Sequence, residues 1–442
     1  MGVKGKPPDS TVAVIGLGYA GLPLALEFAR AGVRVIGLDV DSEKIRQLKD
    51  GGCYLKHVSV PDLASLVEQG RFRPATDFSD LREAEGIIIC VPTPVTESLE
   101  PDLQFVVSSS QTISRYLERG QLIVLESTTY PGTTEEVVLP ILEESGLRCP
   151  KGPQPRQPAG DFYLAFSPER IDPGNRRFAL ADIPKIIGGV NAASAERAKK
   201  LYSRVFKKVV VVSTTQAAEM AKLLENIYRA VNVALVNELK MICQRLGIDI
   251  WEVIEAAATK PFGFAPFYPG PGLGGHCIPI DPFYLAWKVR QHGMTTRFIE
   301  LAGEINTAMA DHVVQSIGEA LKASGKELEQ AKILILGVAY KKDIDDTRES
   351  PALRIMHLLK ERGAAVAYND PHVPQLPRTR RYDFSGLASV PLERVGDYDC
   401  VVIVTDHSSY DFGQIVKEAR LIVDTRNATQ GLPHSAGKVV SA

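Results

Sequence analysis

The chain has 442 residues, 45% apolar and 24% charged, with a formal net charge of -2. That length exceeds what one hydrophobic core supports, so two or three domains of ordinary soluble composition are expected. Near-neutral charge without lysine runs excludes the footprint of a nucleic-acid or membrane-surface binder, and no segment reaches the ~20 apolar residues of a bilayer span.

Residues 1–10 lack the apolar stretch of a signal peptide, so a cytoplasmic protein is expected. The six cysteines, at 53, 90, 149, 243, 277 and 400, form neither a CxxC pair nor a zinc-spaced cluster with the scattered histidines. Neither a disulfide framework nor a metal site is expected.

In chain order, Thr11–Ile15 reads as a short buried strand, followed at once by Gly16-Leu-Gly18-Tyr19-Ala-Gly21. A helical pattern over 22–30 and a strand over 33–38 ending at Asp39 complete the unit. Alone, GxGxxG is weak, because glycines also serve plain turns. Between a strand and a helix it predicts dinucleotide binding, with the pyrophosphate at the helix N-terminus and the acid on a ribose diol. Asp39 would repel a 2′-phosphate, which favours NAD over NADP, although Lys44 and Arg46 pull the other way.

The α/β rhythm continues with a strand over 86–91 ending in Pro92-Thr93-Pro94 and another over 121–126 ending in Ser127-Thr128-Thr129. Ligands of open parallel sheets sit beyond the strands' carboxyl ends, so these tips are expected to border cofactor and substrate. Turn chemistry is the plain alternative for both threonines. The proline-rich stretch 148–160 reads as a surface loop. A strand over 162–166 ends in Ser167-Pro168-Glu169-Arg170, and strands at 185–187 and Val209–Val212 close the first domain near residue 215.

Residues 216–246 read as one helix without internal Gly or Pro. Lys222 and Asn226, at i and i+4, share a face, with Glu219 one turn earlier; a solvated face is the plain alternative. About 45 Å long, the helix can run between domains and pack against its copy in a dimer. The stretch 262–284, FGFAPFYPGPGLGGHCIPIDPFY, is a glycine loop on which Cys277 precedes a helix opened by Asp281-Pro282. Such a backbone approaches a ligand closely, and a thiol near a helix start favours thiolate. A buried structural cysteine beside a capping Asp is the plain alternative.

A second α/β unit follows, with strands at 332–337, 364–368, 400–404 and 421–423. Its first strand lacks GxGxxG, so a different ligand is expected there, and Lys341, Lys342 and Arg348 suit phosphates where surface charge is the alternative. The fold class expected is α/β: two Rossmann-like doubly wound parallel-sheet domains, 1–215 and 321–442, joined by a helical middle region, 216–320, with a long central helix.

NAD implies hydride transfer, and a thiolate adds what a simple alcohol dehydrogenase lacks. It can add to an aldehyde as a thiohemiacetal, which is oxidised to a thioester and hydrolysed. A four-electron oxidation of a primary alcohol to a carboxylate follows, on a nucleotide conjugate if the second unit holds phosphates. Two rivals stand against it: a one-step hydroxyacid dehydrogenase of the 6-phosphogluconate type, and a non-catalytic NAD-binding regulator.

The stretches GLGYAGLPLA, VPTP, ESTTYPGTTEE, SPERIDPG, KLLENIYRAVNVALVNE, GPGLGGHCIPIDP and YKKDIDDTRESP occur in order over nearly the whole chain. In these the chain resembles the UDP-glucose/GDP-mannose dehydrogenase family. FSPERIDPGN and the loop with His276, where glucose-oxidising members commonly carry Ser, are most like the bacterial branch acting on UDP-N-acetylglucosamine. UDP-N-acetylmannosamine, UDP-glucose and GDP-mannose stay open as substrates.

The resemblance implies Cys277 as nucleophile, Lys222 and Asn226 as oxyanion stabilisers, and Asp281 with Thr128 organising a water. It implies Glu169 in thioester hydrolysis. For NAD it implies Gly16, Gly18, Tyr19, Gly21, Asp39, Lys44, Thr93 and Thr128, with Arg348 from the second half. For the UDP-sugar it implies Glu169, Lys222, Asn226, Phe267, Gly270, Gly274 and Lys341. It also implies a homodimer or higher oligomer through the long helix, and polysaccharide biosynthesis as the setting.

Overall fold

The computed structural model describes residues 10–442 apart from 56–57, 97, 99, 153–159, 171–177, 276–277 and 380. It divides into two compact units, Met1–Glu225 with Phe283–Gly293, and Asn226–Pro282 with Met294–Ala442. Among the described residues no helix is long and apolar enough to cross a membrane.

The first unit is built on eight strands: β1 (Thr11–Ile15), β2 (Arg34–Leu38), β3 (Phe72–Ala75), β4 (Gly86–Ile89), β5 (Leu122–Leu125), β6 (Tyr163–Phe166), β7 (Lys185–Gly189) and β8 (Val209–Val212). They lie in the order β3-β2-β1-β4-β5-β6-β7-β8. Runs such as TVAVI, GIII and LIVL are apolar on both faces because helices cover both faces of a parallel sheet. Val12, Val14, Ile88 and Val124 feed one core layer, whereas Ala13, Ile15, Ile87 and Ile123 feed the other. The order reverses between β1 and β4, which makes their carboxyl tips the binding crevice of such a sheet.

Two features depart from the sequence expectation. Strand β3 carries Pro74, which donates no ladder hydrogen bond, and it sits at the sheet edge where that omission is tolerated. Strand β7 pairs with β6 antiparallel, Ala165 facing Gly189 and Phe166 facing Gly188, whereas the other pairs are parallel.

The second unit holds β9 (Lys332–Leu336), β10 (Ala365–Asn369), β11 (Cys400–Ile403), β12 (Ile422–Asp424) and β13 (Val439–Ser441), parallel in the order β10-β9-β11-β12-β13. Ser350 caps the helix Pro351–Glu361 by accepting from the Ala352 N–H. The helix Thr215–Leu246 carries the chain from the first unit into the second. Glu219, Lys222 and Asn226 point inward and are 0%, 7% and 4% exposed, whereas Leu224, Tyr228, Leu235 and Leu239 are 59%, 52%, 51% and 39% exposed. The solvated-face alternative for Lys222 and Asn226 is thereby excluded.

Asp370 follows β10 as Asp39 follows β2. Its Oδ2 accepts the N–H groups of Val338 and Ala339 at 2.7 and 3.1 Å and faces His407 Nε2 at 3.1 Å, while Oδ1 accepts those of His372 and Val373 at 2.8 and 3.0 Å. Burial pushes this carboxyl up, but His407 and the backbone donors outweigh it and hold the group below the usual carboxylate value. Asp370→Ala strands these buried donors, with an expected loss on the order of 3–5 kcal/mol in denaturant unfolding. A loss within about 1 kcal/mol of zero contradicts this account.

Candidate active site

The glycine turn after β1 is shaped by contact. Gly16 has φ +90°, and a Cβ there would lie 2.5 Å from Cys90 O at the end of β4; a Cβ at Gly21 would collide with Gly16 O. Gly18 differs, having nothing of the protein within 4 Å of its Cβ position. Thus Gly16 and Gly21 serve packing, and Gly18 leaves the open backbone approach that a pyrophosphate needs. Asp39, buried, accepts the Leu17 N–H at 2.9 Å and the Asp41 N–H at 3.0 Å, with Lys44 Nζ 3.8 Å away. A carboxylate offers about four acceptor sites, so capacity remains for a ribose diol.

Tyr19 is half-buried beside this turn. Thr93 is buried, and Tyr284 Oη bonds both its carbonyl, at 2.7 Å, and that of Pro94, at 2.9 Å. Thr128 and Glu169 are half-buried beyond β5 and β6. The first unit thus gathers the expected Gly16, Gly18, Tyr19, Gly21, Asp39, Lys44 and Thr93 near the β1, β2 and β4 tips. Lys222 lies one turn beyond Glu219, whose carboxylate accepts the Gly132 N–H at 2.6 Å, the Thr134 N–H at 2.9 Å and the Thr134 hydroxyl at 2.6 Å. Burial still pushes Glu219 up to about 7. Glu219 therefore anchors the segment that follows Thr128.

In the second unit Asn226 Nδ2 donates to Asp281 Oδ2 at 2.6 Å, both residues buried, which brings together two expected site residues whose direct pairing was not foreseen. Asp281 begins the helix Asp281–Arg290. The glycine loop is held from two sides. Gly270 N–H donates to Asn237 Oδ1 at 2.9 Å, and a Cβ on Gly270 would sit 2.6 Å from Arg426 Nη1. A Cβ on Gly274 would sit 2.6 Å from Tyr340 Cβ, and Gly275, at φ +84°, donates to Arg348 O at 3.0 Å.

Phe267 packs edge-on against Tyr228, with ring centroids 5.5 Å apart. Lys341 is half-buried, and the Arg348 guanidinium pairs with Asp346 at 2.6 Å. His276 and Cys277 lie outside the described residues. Sequence reading missed Asn237, Asn306 and Arg426. Asn237 continues the inward row of the long helix, a signal present in the spacing, and bonds Asn306 at 2.9 Å; Asn306 and Arg426 carried none.

One group of metal-ligand type exists among the described residues: Asp343, His372 and His407, with ligand atoms within 4.8 Å of one another. The Asp343 N–H is 3.0 Å from His407 Nδ1, and Asp370 Oδ2 is 3.1 Å from Nε2. Both ring nitrogens are thereby engaged in holding the loop after β9.

The glycine pair separates stability from binding. Gly16→Ala is expected to weaken both NAD binding, by about tenfold or more, and unfolding stability; Gly18→Ala should weaken binding alone, both read by NAD titration and thermal unfolding. Wild-type NAD affinity in Gly18→Ala contradicts the site.

Residues 10–206 match the NAD binding domain of the UDP-glucose/GDP-mannose dehydrogenase family, 216–308 its central domain and 334–431 its UDP binding domain. UDP-N-acetyl-D-mannosamine dehydrogenase of Methanococcus maripaludis is 35% identical over 94% of this chain and 92% of its own length. UDP-N-acetyl-D-glucosamine 6-dehydrogenase of Pseudomonas aeruginosa is also 35% identical, over 91% and 92%. The solved structure of UDP-D-ManNAc dehydrogenase from Pyrococcus horikoshii superposes with a TM-score of 0.85 at 33% identity, covering 98% of each chain. With its glycine turn, the buried acid after β2 and three matched segments, this chain belongs to the UDP-glucose/GDP-mannose dehydrogenase family, as an oxidoreductase with an NAD binding domain and a UDP binding domain.

Proposed function

We propose that this chain oxidises the C6 hydroxymethyl group of UDP-N-acetylglucosamine to the carboxylate, reducing two NAD per sugar, in the cytoplasm. The observation that carries the chemistry is the buried hydrogen bond from Asn226 to Asp281, four residues beyond Cys277. NAD, when bound, supplies the acceptor for both hydrides. The Cys277 thiolate adds to the aldehyde carbon and forms a thiohemiacetal, and loss of a second hydride leaves a thioester. Water then attacks the acyl carbon, releasing the carboxylate and the thiolate.

Asn226 has a second amide N–H beyond the one given to Asp281, and with the Lys222 ammonium it stabilises the oxygen that becomes negative. Asp281 and Thr128 organise the water, and Glu169 assists its attack. Gly16, Gly18, Tyr19, Gly21, Asp39, Lys44, Thr93 and Arg348 serve the cofactor; Phe267, Gly270, Gly274 and Lys341 serve the nucleotide sugar. Arg426, against Gly270, joins that set. The segments 1–215, 216–320 and 321–442 act as cofactor, catalytic and UDP-sugar regions.

The 2-epimer, UDP-N-acetylmannosamine, is the second reading, favoured by the names of the Methanococcus and Pyrococcus relatives. NADH production against UDP-N-acetylglucosamine, its 2-epimer, UDP-glucose and GDP-mannose discriminates them. Two NADH and an acid are expected per sugar, and one NADH with a keto product supports the 6-phosphogluconate-type rival. Cys277→Ser is expected to abolish acid formation with NAD affinity unchanged within about twofold. Full activity in that variant removes the covalent step.

The exposed row Leu224, Tyr228, Leu235, Leu239 and Ile242 on the long helix supports a homodimer packed through this face. Leu235→Glu with Leu239→Glu is expected to yield monomer in sedimentation, and an unchanged mass rules the face out.

A further inference from the structure

The antiparallel turn of β7 has a chemical result. Continuing the β6/β7 register past Phe166 and Gly188 brings Lys185 opposite Glu169, and Arg170 Nη1 donates to Pro184 O at 2.6 Å along the same path. Lys185 is a buried lysine, and its Nζ donates to Glu126 Oε2 at 2.6 Å and to Pro168 O at 3.2 Å. Tyr202, fully buried, donates its hydroxyl to the other oxygen of Glu126. The ammonium also lies over the Tyr202 and Phe206 rings, 5.2 and 5.4 Å from their centroids. One ion pair therefore adjoins both candidate hydrolytic residues: Glu126 precedes Ser127-Thr128, and Pro168 precedes Glu169.

A buried ion pair is a poor stability device, because desolvation offsets the attraction and apolar replacements often match it. Its location gives it another use. We propose that Lys185 and Glu126 are positioning residues that fix the Pro168-Glu169 turn and the Ser127-Thr128 turn for the hydrolysis of the thioester. The proposal rests on the four-electron reading and on Glu169 assisting water. The Pro168 carbonyl, held by the ammonium, sets where the Glu169 backbone begins. Ser167 Oγ donates to Ile186 O at 2.8 Å and braces the same turn from the adjacent strand. Ser127 Oγ donates to Val91 O at 2.7 Å and locks the other turn to the β4 tip.

The test compares Glu169→Gln, Lys185→Met and the double variant Lys185→Met/Glu126→Gln. The last removes both charges, so that no unpaired ion is left buried, and it keeps an acceptor for Tyr202. The probe is UDP-N-acetylglucosamine or its 2-epimer, whichever the wild type turns over, with saturating NAD. Each enzyme is stopped during turnover and its intact mass measured, alongside kcat, KM and thermal unfolding.

The expected result is a folded double variant with kcat lowered about tenfold or more, kcat/KM for the sugar within about twofold of wild type, and an acyl adduct accumulating on Cys277 as in Glu169→Gln. An adduct in Glu169→Gln but none in the folded double variant overturns the positioning role and leaves the hydrolysis reading standing. No adduct in Glu169→Gln overturns that reading and the proposal with it. Lys185→Met alone is expected to lower the unfolding midpoint more than the double variant does, because it strands the Glu126 charge; the reverse order contradicts the ion pair.

Discussion

A polar group taken out of water must find a partner, and the helix Thr215–Leu246 takes in a row of them. Glu219 gathers backbone N–H groups from the segment after Thr128, Asn226 grips Asp281, and Asn237 holds both Gly270 and Asn306. Further along, Lys240 is pushed down to about 7 by burial and by the Arg426 charge, and it donates to the Ala442 carbonyl. Each of these side chains pins a different stretch within its own unit, Glu219 in the first and Asn226, Asn237 and Lys240 in the second. Leu223, Ala230, Ala234 and Val236 are buried with this row, while Leu224, Tyr228, Leu235 and Leu239 are left outward.

The two α/β units show how one architecture is given two uses. Both place an aspartate directly after the strand that flanks the central one. Asp39 takes two backbone N–H groups and keeps acceptor capacity, beside a glycine whose surroundings are open. Asp370 is wrapped by four backbone N–H groups and His407. A ribose has nowhere to bond on the second acid. The absence of GxGxxG after β9 and the filling of Asp370 thus go together, and the acid after β10 serves as a loop anchor.

Local signals were legible in the sequence and long-range ones were not. The turn Gly16 to Gly21 and Asp39 were readable because strand, glycines, helix and acid follow within one βαβ unit. The shared face of Lys222 and Asn226 followed from i,i+4 spacing, but which side of the helix faced in came only with the structure. The direction of β7 was invisible, since a strand of Lys-Ile-Ile-Gly-Gly reads identically either way. Pro74 hid β3, because a proline argues against a strand until its place at an edge is known. Asn237 and Asn306 stand 69 residues apart, and no local pattern joins them. Residues 153–159 of the proline-rich loop and Cys277 are known from sequence alone, since they lie outside the described residues.

The glycine loop and the exit of β9 meet without slack. Gly274 admits no Cβ against Tyr340 and Glu349, Gly275 lies against the Tyr340 ring, and its N–H is tied to Arg348 O. A Cβ at 274 meets the Tyr340 Cβ and the Glu349 carbonyl oxygen, which trimming the tyrosine ring leaves in place, and a side chain at 275 is strained by its own φ of +84° as well as by that ring. Sequence drift in the loop that carries the thiol is therefore halted twice over, by a backbone angle of its own and by a residue some sixty-five positions downstream.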